Sequence, residues 1–416
     1  MAPTWTEMTR AFGRIGLLSF GGPAAQIALM HDDLVDRRKW LSEKDFLGAL
    51  SFCMLLPGPE AMQLATYTGW RLRGTTGGLL AGLLFVLPGA VVIAALAFAY
   101  AAFGDLPLVR DVFLGIKALV IALVLQALLK LSRKALSGPA DWALAALSFL
   151  ALFALGLPFP LIILSAALYG LVAAPSNAPS PMPTAVRAPA NSLRTIAIWG
   201  AIWAAPLAVL MMMEAPFLTA LALFFAKLAV VTFGGAYAVL AYMAQAVVET
   251  HGWLTAPQMI DALGLAETTP GPLILVTQFT GHLAGIQQGG WTLGLLAGLL
   301  TLWMTFVPCF LWIFAFAPHV ETLLGNPRLK GALAAITAAV VGVIANLSIW
   351  FALHVLFAEV DTTALPPRPE LSSFDPLAAA LTLLSCALLF VARWPLLPAM
   401  AALAAVAGAI GLLPAL

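Results

Sequence analysis

Apolar residues run along this chain in blocks much longer than a single strand or the stripe of an amphipathic helix. Nine such blocks, at 76–103, 112–130, 141–156, 157–174, 194–213, 290–317, 331–357, 374–392 and 395–414, approach or exceed the ~17–25 residues of a spanning helix, apart from the short one at 141–156. They lack the period-two alternation of a closed β-barrel. The pattern predicts an all-α polytopic integral membrane protein. Four further segments, 8–36, 44–72, 217–248 and 257–284, are broken near the middle. The breaks are Phe20-Gly21-Gly22-Pro23, Pro57-Gly58-Pro59, Phe233-Gly234-Gly235 and Pro270-Gly271-Pro272. Non-helical backbone survives at membrane depth only where it is buried in protein or lines a cavity. These four segments are therefore expected to be discontinuous helices or re-entrant hairpins, and both alternatives stay open.

The one long polar stretch, 175–193, is rich in Pro, Ala and Ser and reads as a linker. It divides the chain into a first transporter-like repeat (1–174), the linker (175–193), a connecting helix (194–213) and a second repeat (214–416). The start of the chain does not read as a signal peptide, because Arg14 and the Gly21-Gly22-Pro23 break interrupt the apolar core such a peptide needs.

Sliding the second half on the first at an offset of 213 pairs Phe20–Pro59 with Phe233–Pro272 without a gap, and fourteen of those forty positions are identical. That is well above chance at this composition and indicates a duplication. The match continues more weakly through Gly82/Gly298, Pro88/Pro308 and Gln126/Asn346.

Composition then excludes whole classes. Of 416 residues 62% are hydrophobic and only 9% charged, with mean hydropathy +0.99. A water-soluble enzyme, a nucleic-acid binder and a disordered scaffold are excluded. The cysteines Cys53, Cys309 and Cys386 sit in apolar runs without metal-ligand spacing. The five histidines, His31, His251, His282, His319 and His354, are also isolated in sequence and read as loop or interface residues.

Net charge is +1, but its placement is informative. With re-entrant hairpins, fifteen basic residues fall on one side and only Arg110 and Arg368 on the other. The positive-inside rule makes the first side cytoplasmic. If the hairpins crossed fully, the division would be eleven to six, with the same orientation for the later helices. The connecting helix 194–213 supplies the odd crossing that turns the second repeat upside down. Inverted repeats with broken helices meeting near the midplane are the build of secondary transporters.

Six charges lie within apolar sequence: Arg14, Glu60, Lys117, Lys227, Asp261 and Glu267. Arg14 and Lys227 are repeat equivalents, each about two helical turns before its Gly-Gly break. Cations at matched depth suggest an anion held near the pseudo-twofold axis. The alternative is that each reaches an interface or pairs with an acid. Lys117 carries the same two readings.

Pro23, Pro59 and Pro272 stand where new half-helices would begin. The N–H groups of Ala24–Gln26, Glu60–Gln63 and Leu273–Val276 would then face the tips and, with the helix dipole, suit an anion. Gln26 and Gln63 would add hydrogen bonds. Glu60 and Glu267 flank the two Pro-Gly-Pro breaks and are the candidates for proton coupling; alternatively they neutralise the buried cations. Gly78/Gly82 and Gly294/Gly298 match the small-xxx-small pattern of close helix packing. There is no Walker A, HExxH or GxSxG sequence and no cofactor or metal motif. A transporter driven by gradients or potential, not an enzyme, is expected, with no cofactor and no metal.

Ser19-Phe20-Gly21-Gly22-Pro23, Trp40-Leu41, Leu56-Pro57-Gly58-Pro59, Thr232-Phe233-Gly234-Gly235 and Thr269-Pro270-Gly271-Pro272 together resemble the signature of the chromate ion transporter family in its long, duplicated form. The resemblance covers nearly the whole chain. It implies export of chromate across a bacterial inner membrane, conferring resistance, with sulfate as a competing analogue; another transported anion, or uptake, stays open. Partners are then the oxyanion and the lipid bilayer, not nucleic acid, and a homodimer is one assembly the sequence allows. Ala236 stands where the first copy has Pro23, so the halves need not be functionally equal.

Overall fold

The computed structural model describes residues 3–173, 192–233, 236–362 and 364–412. Within these the chain is almost entirely helical, with one two-residue antiparallel pair, β1 (Val360–Asp361) and β2 (Arg368–Pro369). The 175–191 part of the expected linker, and Gly234 and Gly235, lie outside the described residues.

Helix α1 (Trp5–Leu18) opens on a capping box in which Thr4 accepts from the Glu7 N–H and Glu7 bonds back to the Thr4 N–H. Its apolar positions Met8, Ala11, Phe12 and Ile15 recur at three- and four-residue spacing and are buried. After the Gly-Gly break, α2 (Gly22–His31) runs into a π turn at Asp32–Arg37. Next come α3 (Glu43–Met54), capped by Ser42, and α4 (Glu60–Phe103), whose helix is broken at Arg73 and Gly74.

The first two segments fold back on themselves. Phe12 of α1 lies 6.4 Å from the ring of Trp40, beyond the end of α2, and Arg14 reaches Asp33 at 3.4 Å. Asp45 at the start of α3 meets Arg71 near the bend in α4 at 2.9 Å, and Phe52 packs on Tyr67 at 5.5 Å. A straight crossing would hold these partners a bilayer apart. Both segments are re-entrant hairpins.

Helices α5 (Pro107–Ala135), α6 (Pro139–Phe153), α7 (Phe159–Ala173) and α8 (Ser192–Met212) follow. The second repeat then retraces the first: α9 (Pro216–Val231), α10 (Ala236–Gln245) with a π turn at Ala246–Thr250, α11 (Ala256–Thr268) and α12 (Val276–Phe316). Even the local backbone recurs. Lys39 and Gly252, both at positive φ, occupy equivalent positions after the π turns. Trp40 and Trp253 donate their N–H groups to Leu34 and Val247 at 2.8 and 2.9 Å.

One register differs from the sequence alignment. A three-residue 3-10 turn, Leu273–Leu275, precedes α12 and has no counterpart before α4. Beyond it the offset is 216, so the helix breaks at Arg73-Gly74 and Gly289-Gly290 coincide. Glu60 therefore corresponds to Val276 rather than to Leu273.

The chain ends with the short α13 (Val320–Gly325), α14 (Pro327–Leu356), α15 (Pro376–Cys386) and α16 (Leu396–Gly411). Five stretches among the described residues are long and apolar enough to cross a membrane: Glu60–Phe103, Pro107–Ala135, Ser192–Met212, Leu273–Gly325 and Pro327–Leu356. The blocks at 141–156, 157–174, 374–392 and 395–414 give shorter helices than a simple span requires. At 15 residues each, α6 and α7 are about 22 Å long. As a pair they return the chain to the side it left, whether both cross or neither does. The long limb of α4, then α5 and α8, leave an odd number of crossings between the repeats, so the second copy is inverted.

The chain forms two compact units, and each draws on both repeats. One comprises Met1–Ala95, Leu168–Val239 and Thr269–Leu333; the other comprises Leu96–Ala167, Leu240–Thr268 and Ala334–Leu416. In the first, the glycine stripes pack the two limbs of each bent helix. A Cβ on Gly82 would strike Thr66 Oγ1 at 2.5 Å, and one on Gly298 would collide with the His282 ring. Trp203 and Trp303 donate reciprocally to the Met304 and Ile202 carbonyls at 3.1 and 3.2 Å, tying α8 to α12. In the second unit α5 packs on α15 and α16 through Ala118, Leu119, Ala122, Leu381, Ala399 and Leu403, all nearly inaccessible.

Candidate functional site at the helix breaks

The breaks in the first unit are joined crosswise. Gly58 of the first Pro-Gly-Pro donates its N–H to the Thr232 carbonyl at 2.8 Å. Gly271 of the second donates to the Ser19 carbonyl at 2.9 Å. The two bonds are equivalent at offset 213, so each repeat gives the other what it receives. A twofold relation requires that reciprocity. Ser19 and Thr232 are both buried, and each hydroxyl donates to the carbonyl four residues back, Ile15 and Leu228, at 2.6 Å. The carbonyl at the end of each half-helix is thereby aimed into the crossing.

Backbone shape explains the glycines. Gly58 and Gly271 have φ of 119° and 87°, a region that side chains other than glycine rarely enter. Close approach adds a second reason near Gly271: a Cβ on Gly89, in α4, would collide with the Pro270 carbonyl. Gly21 and Gly22 also lie at positive φ, and α2 begins immediately, with Pro23 in its first turn. Pro59 immediately precedes α4, and Pro272 precedes the 3-10 turn.

The set of N–H groups facing the tips is smaller than the sequence suggested. Gln63 donates its N–H to Pro59 at 3.1 Å and Leu275 to Pro272 at 2.9 Å, while Val276 bonds back to Leu273 and Ile274. The Pro-Gly-Pro glycines spend their N–H groups on the crossing itself.

The expected glutamines are at the tips. Gln26, 1% exposed, donates to the Gly271 carbonyl at 2.7 Å, a further link between repeats. Gln63, fully buried, donates to the Pro57 carbonyl at 2.6 Å. The Oε1 atoms of both are buried with no hydrogen-bond partner among the described residues, an arrangement that costs stability unless something outside the chain satisfies it. Phe20 is 37% exposed beside Gly21, Phe233 and Pro57 are half-buried, and Pro270 and Pro272 are buried. Gly234 and Gly235 are outside the described residues.

The cations are elsewhere. Arg14 lies on the open face of α1 with its side chain 45% exposed and pairs with Asp33, which also takes Arg37 and Arg38 at 3.8 and 3.1 Å. Thr9, Arg10, Gly13, Arg14, Leu17 and Leu18 line a wide groove of about 530 Å³. Lys227, its repeat equivalent, is likewise on the exposed face of α9, and Ala246 stands where the first copy has Asp33. Lys117, in the second unit, pairs with Asp261 at 3.4 Å. Glu60 is half-buried as the first residue of α4, where a carboxylate suits the helix dipole. Glu267 is buried on α11.

Several residues here went unremarked as site elements in the sequence. The Ser19 and Thr232 carbonyls work through backbone and carry no composition signal, although both precede a Phe-Gly-Gly. Arg10 stands one helical turn from Arg14, a spacing that places both on one face. His282 is not a loop or interface residue: it is fully buried in α12, with Nδ1 2.9 Å from the Gly294 carbonyl and Nε2 3.1 Å from Gln278 Nε2.

Broken half-helices crossed reciprocally within an inverted duplication define the class: a helical membrane transporter built from inverted repeats. The chromate transporter family profile matches residues 6–171 and 219–412, one match per repeat, and the chain belongs to that family. It is a transport protein rather than an enzyme. It is 30% identical over 404 residues to the chromate transport protein of Cupriavidus metallidurans, covering 95% of both chains. It is 32% identical over 354 residues to the chromate transport protein of Pseudomonas aeruginosa, covering 83% of this chain and 80% of the other. A probable chromate transport protein of Synechococcus elongatus is 31% identical over 344 residues, 82% of each. No solved structure matches the chain.

Proposed function

We propose that this protein exports chromate from the bacterial cytoplasm across the inner membrane, conferring resistance, with the oxyanion bound where the half-helices cross. The observation that carries this reading is the reciprocal Gly58–Thr232 and Gly271–Ser19 pairing in a chain of this family. It brings half-helix starts together around buried Gln26 and Gln63, and positive helix termini in a low dielectric suit an anion. Arg10 and Arg14, lining one groove, supply an electrostatic approach, and Lys227 does so in the second repeat.

Direction follows from electrostatics. Moving a dianion outward down an inside-negative potential gains roughly 4.6 kcal/mol per 100 mV, twice the single-charge value. Uptake would need about three accompanying protons to become electrically favourable.

The test is chromate flux into everted vesicles under an imposed potential. Arg14→Ala or Lys227→Ala is expected to abolish flux while the protein still reaches the membrane; undiminished flux in either sinks the paired-cation arrangement. Sulfate is expected to compete. For the Glu60 and Glu267 carboxylates, proposed to exchange a proton beside the breaks, Gln substitution of both should alter the pH profile of flux, and an unshifted profile removes them.

A further inference from the structure

The second unit holds a buried acid that the crossing does not use. Asp261, on α11, is 3% exposed. Tyr100, near the end of α4, donates its hydroxyl to Asp261 Oδ2 at 2.8 Å, and Lys117 Nζ, from the middle of α5, lies 3.4 Å from the same oxygen. Its second oxygen, Oδ1, is buried with no hydrogen-bond partner among the described residues. The helices close tightly around it: a Cβ on Gly264, one turn on from Asp261, would collide with Ile116 of α5.

Other charged groups on the neighbouring elements have partners or places of their own. Glu249, on the π turn packed against α11, accepts from Trp350 Nε1 at 2.7 Å. Arg110 and Asp111 stand in the first turns of α5, about two turns before Lys117, and Glu267 lies about two turns along α11.

A buried ion pair is a poor source of stability, because desolvation offsets the attraction unless every remaining lone pair is satisfied. Oδ1 is not satisfied by any of the described residues. An ionisable residue embedded among apolar helices more often marks an ion path. A carboxylate with one oxygen doubly engaged and the other bare has a defined place for one proton. Addition forms an O–H bond on Oδ1 and cancels the carboxylate charge, while Lys117 keeps its proton and loses its counter-ion.

We propose that Asp261, held by Tyr100 and Lys117, is a proton-binding site of this transporter, separate from the crossing and from Glu60 and Glu267. It rests on the transport reading only in treating the bound proton as one exchanged during the cycle.

The test is an infrared pH titration of the full chain purified into lipid, without chromate. The expected result is a protonated-carboxyl band that grows as pH falls, persists in a Glu60→Gln/Glu267→Gln double variant and is missing in Asp261→Asn. Tyr100→Phe keeps shape and volume but removes one hydrogen bond, and is expected to move the midpoint of that band. If Asp261→Asn does not fold, Tyr100→Phe alone decides. A band retained in Asp261→Asn, or a midpoint unmoved in Tyr100→Phe, overturns the assignment. In vesicles, wild-type flux should change by up to about tenfold per pH unit, the limit for one proton, and Asp261→Asn should flatten that dependence; an unflattened profile refutes the exchange. Loss of the band in a protein that moves no chromate would leave the proton site standing and refute the transport reading instead.

Discussion

The Gly58 N–H meets the Thr232 carbonyl at 2.8 Å, and the same bond recurs between Gly271 and Ser19 at 2.9 Å. The first residue of each pair is a Pro-Gly-Pro glycine and the second precedes a Phe-Gly-Gly, so every break is held by a break of the other repeat. Backbone groups that a broken helix would leave orphaned in lipid are satisfied across the pseudo-twofold, the condition under which irregular backbone persists at that depth. The crossing is thus both the structural lock of the first unit and the place where half-helix starts converge.

Alanine at either glycine should break that lock. Residues other than glycine held at such backbone angles cost about 1–3 kcal/mol. At Gly58 the new Cβ would also stand 2.9 Å from Gln63 Nε2 and 3.0 Å from Cys309 Sγ. Gly58→Ala and Gly271→Ala are expected to lower the thermal midpoint in detergent and to reduce chromate flux at least tenfold. Gly48→Ala, where a Cβ meets nothing within 4 Å, is the control and should do neither.

Opposite faces of the membrane should bear the two hairpin mouths. Lys44 and Pro257 are repeat equivalents and both are exposed. In a cysteine-free background, Lys44→Cys should react with an impermeant thiol reagent only from the cytoplasmic side and Pro257→Cys only from outside. Labelling of both from one side would remove the inversion.

Arg14 and Asp33 offer a way to separate anchoring from substrate contact. The Asp33 carboxylate is 4% exposed and shared by Arg14, Arg37 and Arg38. With Asp33→Asn, the two neighbouring arginines keep other contacts, Arg37 with Asp32 and Arg38 with the Trp40 ring, whereas Arg14 is released toward the groove. If Arg14 serves the anion directly, Asp33→Asn should retain chromate flux with a changed apparent KM, while Arg14→Ala abolishes it. Equal loss in both variants would make Arg14 a residue that merely closes the hairpin.

Much of this organisation is legible in the sequence because glycine and proline punctuate apolar runs sharply. The four breaks and the duplication up to Pro272 follow from local residue types. The Leu273–Leu275 turn does not: its residues are as apolar as the helices beside it, so nothing marks the shift of register to 216. The crosswise bonds are equally hidden, since a backbone N–H and carbonyl carry no residue identity. Arg37 and Asp33 can be paired by helical spacing, but Arg14 joins them only because the hairpin returns. Lys117 meets Asp261 for a similar reason, since distant helices bring them together and each alone reads as an isolated charge. Helix length also misleads where apolar loop residues extend a run, as at 157–174, where the helix begins only at Phe159.

The mouth of the first hairpin should respond to pH through His31. Its Nε2 lies 2.5 Å from Glu43 Oε2 and its Nδ1 3.1 Å from Asp36 Oδ2, joining the end of α2 to the start of α3. The hydrogen bond to Glu43 is the main cause that raises its pKa above 6.5, with the charges of Glu43 and Asp36 adding to it and partial burial opposing it. The contribution of the protonated clasp is therefore fully present below about 6.5, the ordinary value, and is lost as pH rises through the raised value. Hydrogen exchange at the backbone of residues 31–44 should accelerate across that rise in the wild type. In His31→Gln the exchange should be faster at low pH and should no longer follow that titration. A wild-type segment whose protection, corrected for the intrinsic exchange rate, is the same on both sides of the window would show that the clasp does not hold the hairpin mouth.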